Sequence, residues 1–268
     1  MYRTLMLLVL GAPGLVSATM VWSAAGAGEQ DSAHGKHGHL ARATITLTDG
    51  VGAAAQLWLP TLERRPLGID HGAALLKPSG MDNYHLLYAV REGTGVHETA
   101  LRYHYLNGKP SGQSPAELIF AVKAPLEIVP APLTREHARY LSETTAAFII
   151  RYQGKPLANQ TVMLETSNGT HLDNTSDARG RISFTLPDDF HHVAVGRDNN
   201  PPADFFLVTR HGDNGIEYRT SLSAAYHINP RHWQSSSGAL WSGLAGFVCG
   251  LGVLGVVARR NAVKGGAS

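Results

Sequence analysis

Short stretches in which apolar and polar side chains alternate dominate the middle of the chain. Threonines alternate with Ile45 and Leu47 in residues 44–48, and Ile182, Phe184 and Leu186 alternate with polar side chains farther on. A period of two places successive side chains on opposite faces of a β-strand, so these stretches predict strands with one buried face. Further strand candidates are 56–59, 86–90, 101–106, 117–122, 126–129, 146–152, 161–165, 205–209 and 216–227.

The spacing of these candidates predicts an all-β fold. They recur about every ten residues, are separated by Gly, Pro, Asn and Asp, and show little helical periodicity, which favours β-sandwiches over an α/β fold. Pro130, Pro132 and the polar residues 134–143 interrupt the rhythm and indicate a linker. We therefore expect two β-sandwich domains of the immunoglobulin-like or prealbumin-like kind, at residues 41–130 and 131–230.

The C-terminal region predicts a membrane anchor. Residues 238–258 carry no charge and are followed at once by Arg259 and Arg260. A helix of this length spans a bilayer, and a basic flank stays on the cytoplasmic side. We expect a transmembrane helix at 238–258 and a cytoplasmic tail at 259–268. A buried C-terminal helix is the alternative.

The N-terminal region predicts export. Arg3 precedes the apolar residues 5–9, and the small residues Ala25, Gly26 and Ala27 form a possible cleavage site. We expect a signal peptide at 1–27, with an uncleaved N-terminal anchor as the alternative. The two ends together predict a single-pass protein of a bacterial inner membrane with its bulk in the periplasm.

Composition excludes several classes of function. The only cysteine, Cys249, lies within the predicted anchor, so neither a disulfide framework nor a cysteine metal cluster is expected. A net charge of +2 does not indicate nucleic-acid binding. The 14 histidines are the compositional anomaly and direct attention to imidazole chemistry.

The sharpest metal signal is the sequence HGKHGH within residues 28–40, a segment that we expect to be flexible. Its imidazoles at His34, His37 and His39 can wrap around one nickel, cobalt, copper or zinc ion, since these metals accept nitrogen ligands. A histidine-rich soluble tail is the alternative.

A second metal candidate lies in the predicted strands of the first domain. His85 and His104 converge if their strands pair, and solvated or hydrogen-bonded strand histidines are the alternative. Looser groups are Asp70, His71, His97 and Glu98 in the first domain, and His191, His192, His211 and Asp213 in the second.

Enzymatic function is not expected. The sequence has no G-x-S-x-G elbow, no H-E-x-x-H zinc motif, no phosphate-binding loop and no dinucleotide fingerprint.

In the predicted anchor, Gly246 and Gly250 form a G-x-x-x-G pattern, which lets two helices approach closely. The pair predicts docking onto a transporter subunit or a second copy of the chain, and a simple tether is the alternative.

Residues 149–190 carry a resemblance to a known family. They contain G-K-P-L-A from Gly154, a strand, the turn S-D-A-R-G-R ending at Arg181, and a strand that ends in Leu186 and Pro187. This pattern resembles the second domain of a family described as the periplasmic component of cobalt or nickel uptake systems. It is also similar to carboxypeptidase-regulatory-like and prealbumin-like sandwiches. PLEIVP at 125–130 and GIEYRTSL at 215–222 look like that family's interdomain and closing strands.

The resemblance implies a metal-binding, extracytoplasmic accessory of a nickel- or cobalt-type uptake system, anchored in the same membrane as its transporter subunit. In this interpretation the histidines capture a transition-metal ion and pass it to that partner. The alternative is a structural or interaction module that contacts another envelope protein without binding metal.

Overall fold

The computed structural model describes residues 19–24, 43–134 and 139–234. These residues form 18 β-strands and two short α-helices, α1 (Ala116–Phe120) and α2 (Pro230–Trp233). The strands are β1 (Val21–Ala24), β2 (Ala43–Thr48), β3 (Ala54–Trp58), β4 (Arg64–Pro66), β5 (Ile69–Asp70), β6 (Ala73–Leu76), β7 (Met81–Gly93), β8 (Val96–Leu106), β9 (Lys109–Pro110), β10 (Leu126–Pro130), β11 (Tyr140–Leu141), β12 (Thr145–Tyr152), β13 (Lys155–Pro156), β14 (Thr161–Thr166), β15 (His171–Thr175), β16 (Arg181–Thr185), β17 (Ala203–Asp213) and β18 (Ile216–His227).

The strands pair into three sheets. A ten-stranded central sheet has the order β15-β14-β17-β18-β8-β7-β3-β4, with β11 beside β18 and β9 beside β7. The N-terminal outer sheet has the order β1-β2-β6-β5. The C-terminal outer sheet contains β10, β12 and β13, and β16 pairs with β12. The parallel pairing of β18 with β8 joins the two halves of the chain in the central sheet.

Burial follows this layering. In β2, Ala43, Ile45 and Leu47 are buried while the threonines between them are not, as in a strand with one face in water. In β7, by contrast, every residue from Asn83 to Ala89 is buried. Burial on both sides indicates that layers cover both faces of the central sheet at this strand.

The N-terminal outer sheet covers one face of the central sheet. Trp22 of β1 and Ile45 of β2 share a core cluster with Leu87 of β7 and Ala100 of β8. Leu87 is opposite Arg102 in the β7–β8 register, so even-numbered residues of β8 lie on this face.

The C-terminal outer sheet covers the opposite face. Phe148 of β12 packs edge-on against Phe205 of β17, with ring centroids 6.1 Å apart. Two residues farther along β17, Leu207 is opposite Leu222, which is opposite Leu101 of β8. This face therefore carries the odd-numbered residues of β8.

The predicted all-β fold of two β-sandwiches is confirmed, and the two sandwiches share the central sheet. The observed pairing crosses the expected boundary between 41–130 and 131–230, because β10 pairs with β12 and β8 pairs with β18. One predicted strand, 117–122, is wrong: these residues contain most of α1. Phe120 and Val122 are exposed, so the apolar run does not form a buried strand face.

The expected signal peptide, residues 1–27, overlaps a described strand, because β1 lies within it and pairs with β2. The histidine-rich segment 28–40, the predicted span 238–258 and the tail 259–268 lie outside the described residues, because the structure describes neither 25–42 nor 235–268. Among the residues that the structure does describe, no helix has both the length and the apolar character needed to cross a bilayer.

Residues 190–201 and 228–234 belong to a separate compact unit, and all three sheets belong to the other. In this smaller unit, the Asn200 side-chain amide donates to the carbonyls of Ala194 and Gly196, at 2.7 Å in each case. The side chain of Asn229 accepts the N–H of Arg231 at 3.3 Å and caps α2.

Candidate functional site

His85 and His104, the predicted imidazole pair, lie on adjacent antiparallel strands. β7 and β8 pair in the register that sets the two histidines directly opposite each other. Directly opposite residues point to the same face of a sheet, with Cβ atoms about 5 Å apart. This face is the one covered by the N-terminal outer sheet. The strand pairing that convergence required is therefore present, and the metal role of the pair stays a prediction.

Both ring nitrogens of His85 are engaged within the protein. Nδ1 lies 3.0 Å from the carbonyl oxygen of Asn83, which can only accept a hydrogen bond, so Nδ1 carries the ring proton. Nε2 is then the acceptor, and the hydroxyl of Ser79 donates to it at 2.7 Å. An ion that binds Nε2 must displace this hydroxyl.

The surroundings of His85 keep its ring neutral. Burial lowers the pKa of His85 below its ordinary value of 6.5, because the charged imidazolium is poorly solvated in the core. The hydrogen bond to the Asn83 carbonyl opposes this effect, and the positive charge of Arg65 adds to the lowering of the pKa. The ring therefore has at neutral pH the protonation state that metal ions need.

A surface cleft of about 300 Å³ lies next to Ser79, the hydrogen-bond partner of His85. Its lining includes Leu57, Leu67, Leu76, Arg65, Lys77 and Ser79. Ser79 both lines the cleft and donates to His85, so this hydroxyl connects the cleft to the imidazole.

Positive charge in the cleft opposes cation binding. Arg65 forms an exposed ion pair with Glu63 at 2.8 Å, and Lys77 is also exposed. A cationic side chain repels a metal ion for the same reason that it disfavours the protonated imidazole. Binding at this pair is therefore expected to be weak and easily reversed.

Ser79 was not among the predicted site residues. The signal available in the sequence is the turn Pro78-Ser79-Gly80 directly before a strand that carries a histidine. A serine hydroxyl that donates to a neutral imidazole is also the nucleophile–base pair found in sites of nucleophilic catalysis. Ser79 additionally accepts the N–H of Met81 at 3.1 Å, so its bonds hold the turn against β7, a structural role that requires no reaction.

The looser group of the first half is not brought together around the pair. Asp70 and His71 are exposed and lie 3.7 Å from each other. His97 is on the opposite face of β8 from His104. Glu98 shares the face of His104 but is six residues away, about 20 Å along an extended strand.

A row of rings crosses one end of the central sheet on the face of His97. The strand registers place His211 opposite Tyr218 and Tyr218 opposite His97. Tyr152 of the C-terminal outer sheet completes the row, with its ring centroid 4.6 Å from that of His211 and 5.3 Å from that of Tyr218. The Tyr152 hydroxyl donates to Asp213 at 2.7 Å, which raises the pKa of Tyr152. We call these four rings the ring row; each of them is partly exposed.

The ring row was not predicted, although His97, His211 and Asp213 were considered as metal ligands. His211 and Tyr218 belong to the consecutive strands β17 and β18, but His97 and Tyr152 come from distant strands that only the fold aligns with them. His191 and His192 are exposed and belong to the smaller unit. His34, His37, His39, Gly246 and Gly250 lie outside the described residues.

Comparison with known proteins does not assign a family. No family model matches the chain, and no curated protein matches it. One similar solved structure is a segment of two fibronectin type III domains from chicken tenascin, with 12% identity and a TM-score of 0.22 over 69% of this chain and 91% of that one. Another is a Ca²⁺-stabilised adhesin with which an Antarctic bacterium binds ice, at 14% identity and a TM-score of 0.26 over 70% of this chain and 43% of that one.

The D0–D1 domain of intimin is similar at 13% identity and a TM-score of 0.25, over 68% of this chain and 89% of that one. TM-scores this low carry no inference about function. The resemblance to a cobalt or nickel uptake component therefore stays a hypothesis.

Proposed function

We propose that the protein is a membrane-anchored, extracytoplasmic accessory of a transition-metal uptake system of the nickel or cobalt type. The observation that carries the proposal is the cross-strand pair of His85 and His104, with a surface cleft next to Ser79, the hydrogen-bond partner of His85. Two imidazole nitrogens on one sheet face can hold one nickel, cobalt, copper or zinc ion, with water in the remaining positions.

A two-histidine site suits transfer better than storage. Structural zinc sites use four protein ligands and bind tightly, whereas a site with few protein ligands exchanges its ion. The Ser79 hydroxyl and the charge of Arg65 weaken binding further. In this proposal His34, His37 and His39 collect ions, and a transporter subunit in the same bilayer receives them.

The decisive experiment is calorimetric titration of the full-length chain in detergent with nickel, cobalt, copper and zinc. We expect saturable binding at pH 7.5 and weaker binding near pH 5, where imidazoles of ordinary pKa take up protons that compete with metal. If none of the ions binds at concentrations up to about 1 mM, a limit that corresponds to about −4 kcal/mol, the metal function is excluded.

Substitutions then locate the site. His85→Gln and His104→Gln should each weaken binding, whereas His71→Gln, which changes an exposed histidine in the same half, should not. Ser79→Ala should strengthen binding because it frees Nε2 of His85. If the first two variants bind like the wild type and the triple alanine variant at residues 34, 37 and 39 does not bind, the pair is not the site.

The ring row favours a second candidate function, an interaction module of the cell envelope. Two of its rings are partly exposed tyrosines, Tyr152 and Tyr218, and tyrosine is enriched at protein interfaces. A photocrosslinking amino acid at His211 should then give a defined adduct with one envelope protein, while the same group at the exposed Val51 should not. Equal adducts at both positions contradict this function.

A further inference from the structure

Strand β1 lies within the range that the sequence predicts as a cleaved signal peptide. Its Trp22 and the preceding residue Met20 are both 0% exposed. Both belong to the core cluster that joins the N-terminal outer sheet to the central sheet. Cleavage after Ala27 would remove both side chains from this core and take β1 from the edge of its sheet.

Buried polar groups of the central sheet also depend on this segment. The Glu98 carboxylate accepts the N–H of Met20 at 2.8 Å, and the Ser221 hydroxyl donates to the Met20 carbonyl at 2.6 Å. The Asp204 carboxylate accepts the N–H of Ala24 at 2.7 Å. None of the three central-sheet residues is more than 7% exposed. Without residues 20–24, each of them loses a partner inside the protein, which is unfavourable.

A second processing sequence directly precedes these buried residues. Ala18 is the last residue before the Ala18–Thr19 bond, and Val16 is the third-last. An apolar stretch at 5–15 precedes them. Leader peptidases cleave after a short apolar segment followed by small residues at those two positions. V-S-A at 16–18 departs from the A-x-A pattern only at Val16, and cleavage after Ala18 leaves all of β1 in the protein.

We propose that a leader peptidase hydrolyses the Ala18–Thr19 bond and that β1 is the first strand of the mature protein. Water adds to the carbonyl carbon of Ala18, the carbon–nitrogen bond breaks, and the nitrogen takes a proton. The products are a leader ending in the Ala18 carboxylate and a mature chain beginning with the Thr19 ammonium group. The proposal rests on the export step of the proposed function and is independent of metal binding.

Mass spectrometry of the N-terminus tests the proposal. The full-length chain, expressed with its own leader in a Gram-negative host and purified from the membrane fraction, should begin at Thr19. A chain that begins at Gly28, retains Met1 or begins elsewhere overturns the proposal. Protease accessibility of the sheet domain in spheroplasts reports export separately, so an exported chain with another start leaves the proposed function standing.

Two matched variants distinguish the cleavage sites. Ala18→Tyr places a bulky residue directly before the proposed bond and should abolish the Thr19 start. Ala27→Tyr makes the same change at the other site and should leave the Thr19 start unchanged. If Ala27→Tyr blocks processing and Ala18→Tyr does not, the leader extends through β1 and the proposal is wrong.

Discussion

At the scale of single residues, buried titratable groups are stabilised in two different ways. His85 stays neutral, whereas Lys123 is buried with compensating partners: its ammonium donates to the carbonyls of Leu118 and Ala121 and lies 3.3 Å from the Glu127 carboxylate. Glu127 also pairs with Arg151 at 2.8 Å. Burial nevertheless lowers the pKa of Lys123 to about 8, because desolvation outweighs these partners.

The lowered pKa of His85 predicts a specific dependence of stability on pH. Above pH 6.5, the ordinary pKa of histidine, His85 is neutral in both folded and unfolded chains. As pH falls below this value the unfolded chain takes up a proton that the folded chain resists. The free energy of unfolding should therefore fall, by at most about 1.4 kcal/mol per pH unit, until the folded pKa is reached.

Urea denaturation of the wild type, His85→Gln and His71→Gln between about pH 7.5 and pH 5 measures this effect. His85→Gln should be less stable at pH 7.5 and should lose less stability on acidification. His71→Gln should follow the wild type. If all three chains lose stability in parallel, His85 is not held neutral by the fold.

At the scale of elements, β1 is short but contributes a large side chain to the core. Trp22 is fully buried, and its indole N–H donates to the carbonyl of Ala100 at 3.2 Å. Ser23, the next residue, is only partly buried. Trp22 is therefore expected to contribute far more to the stability of the protein than its neighbour Ser23.

Trp22→Ala should destabilise the protein by about 3–5 kcal/mol, since it removes a large buried ring and leaves a cavity. Ser23→Ala on the same strand should change stability by less than about 0.5 kcal/mol. Chemical denaturation of the full-length variants gives both values. A cost below about 1 kcal/mol for Trp22→Ala would show that β1 is not an integral part of the core.

Alternation identified most strands from the sequence, because an outer strand such as β2 or β16 has one face in water and one in the core. The same rule missed β1, since an apolar segment near the N-terminus has the composition of a leader. It misassigned 117–122, since a short apolar run after Ser114 and Pro115 fits a helix as well as a strand.

For the candidate site, the alternation in β7 and β8 was enough to place His85 and His104 on one face once the strands paired. Ser79 was not predictable, because its bond to His85 depends on a turn that packs back on the strand. The ring row was equally hidden, because β8 and β18 lie about 120 residues apart and no local pattern encodes their pairing.

At the scale of the whole sheet-forming unit, a buried ion pair ties the two halves of the chain together. Both terminal nitrogens of Arg102 lie 3.0 Å from one carboxylate oxygen of Asp204, and neither residue is more than 7% exposed. Arg102 is on β8 and Asp204 is on β17, with β18 between them. The pair therefore spans three strands of the central sheet.

This arrangement predicts one cooperative unfolding transition for both sandwiches. Arg102→Met should lower the stability of the whole unit by about 3–5 kcal/mol, because it leaves a buried carboxylate without its cation. The double variant Arg102→Met/Asp204→Leu should recover part of this loss. Urea denaturation followed by tryptophan fluorescence and by circular dichroism should give coincident curves, and separated curves would show that the halves unfold independently.

The two edges of the central sheet affect how the protein behaves at high concentration. At one edge, β4 is three exposed residues long, with Arg64 held over the Trp58 ring at 4.1 Å and Pro66 unable to donate a backbone hydrogen bond. At the other edge, β15 is only five residues long, is exposed throughout and carries the charged Asp173. Short, charged or proline-containing edges are poor templates for strand addition. We therefore expect both edges of the ten-stranded sheet to oppose strand addition between copies of the protein.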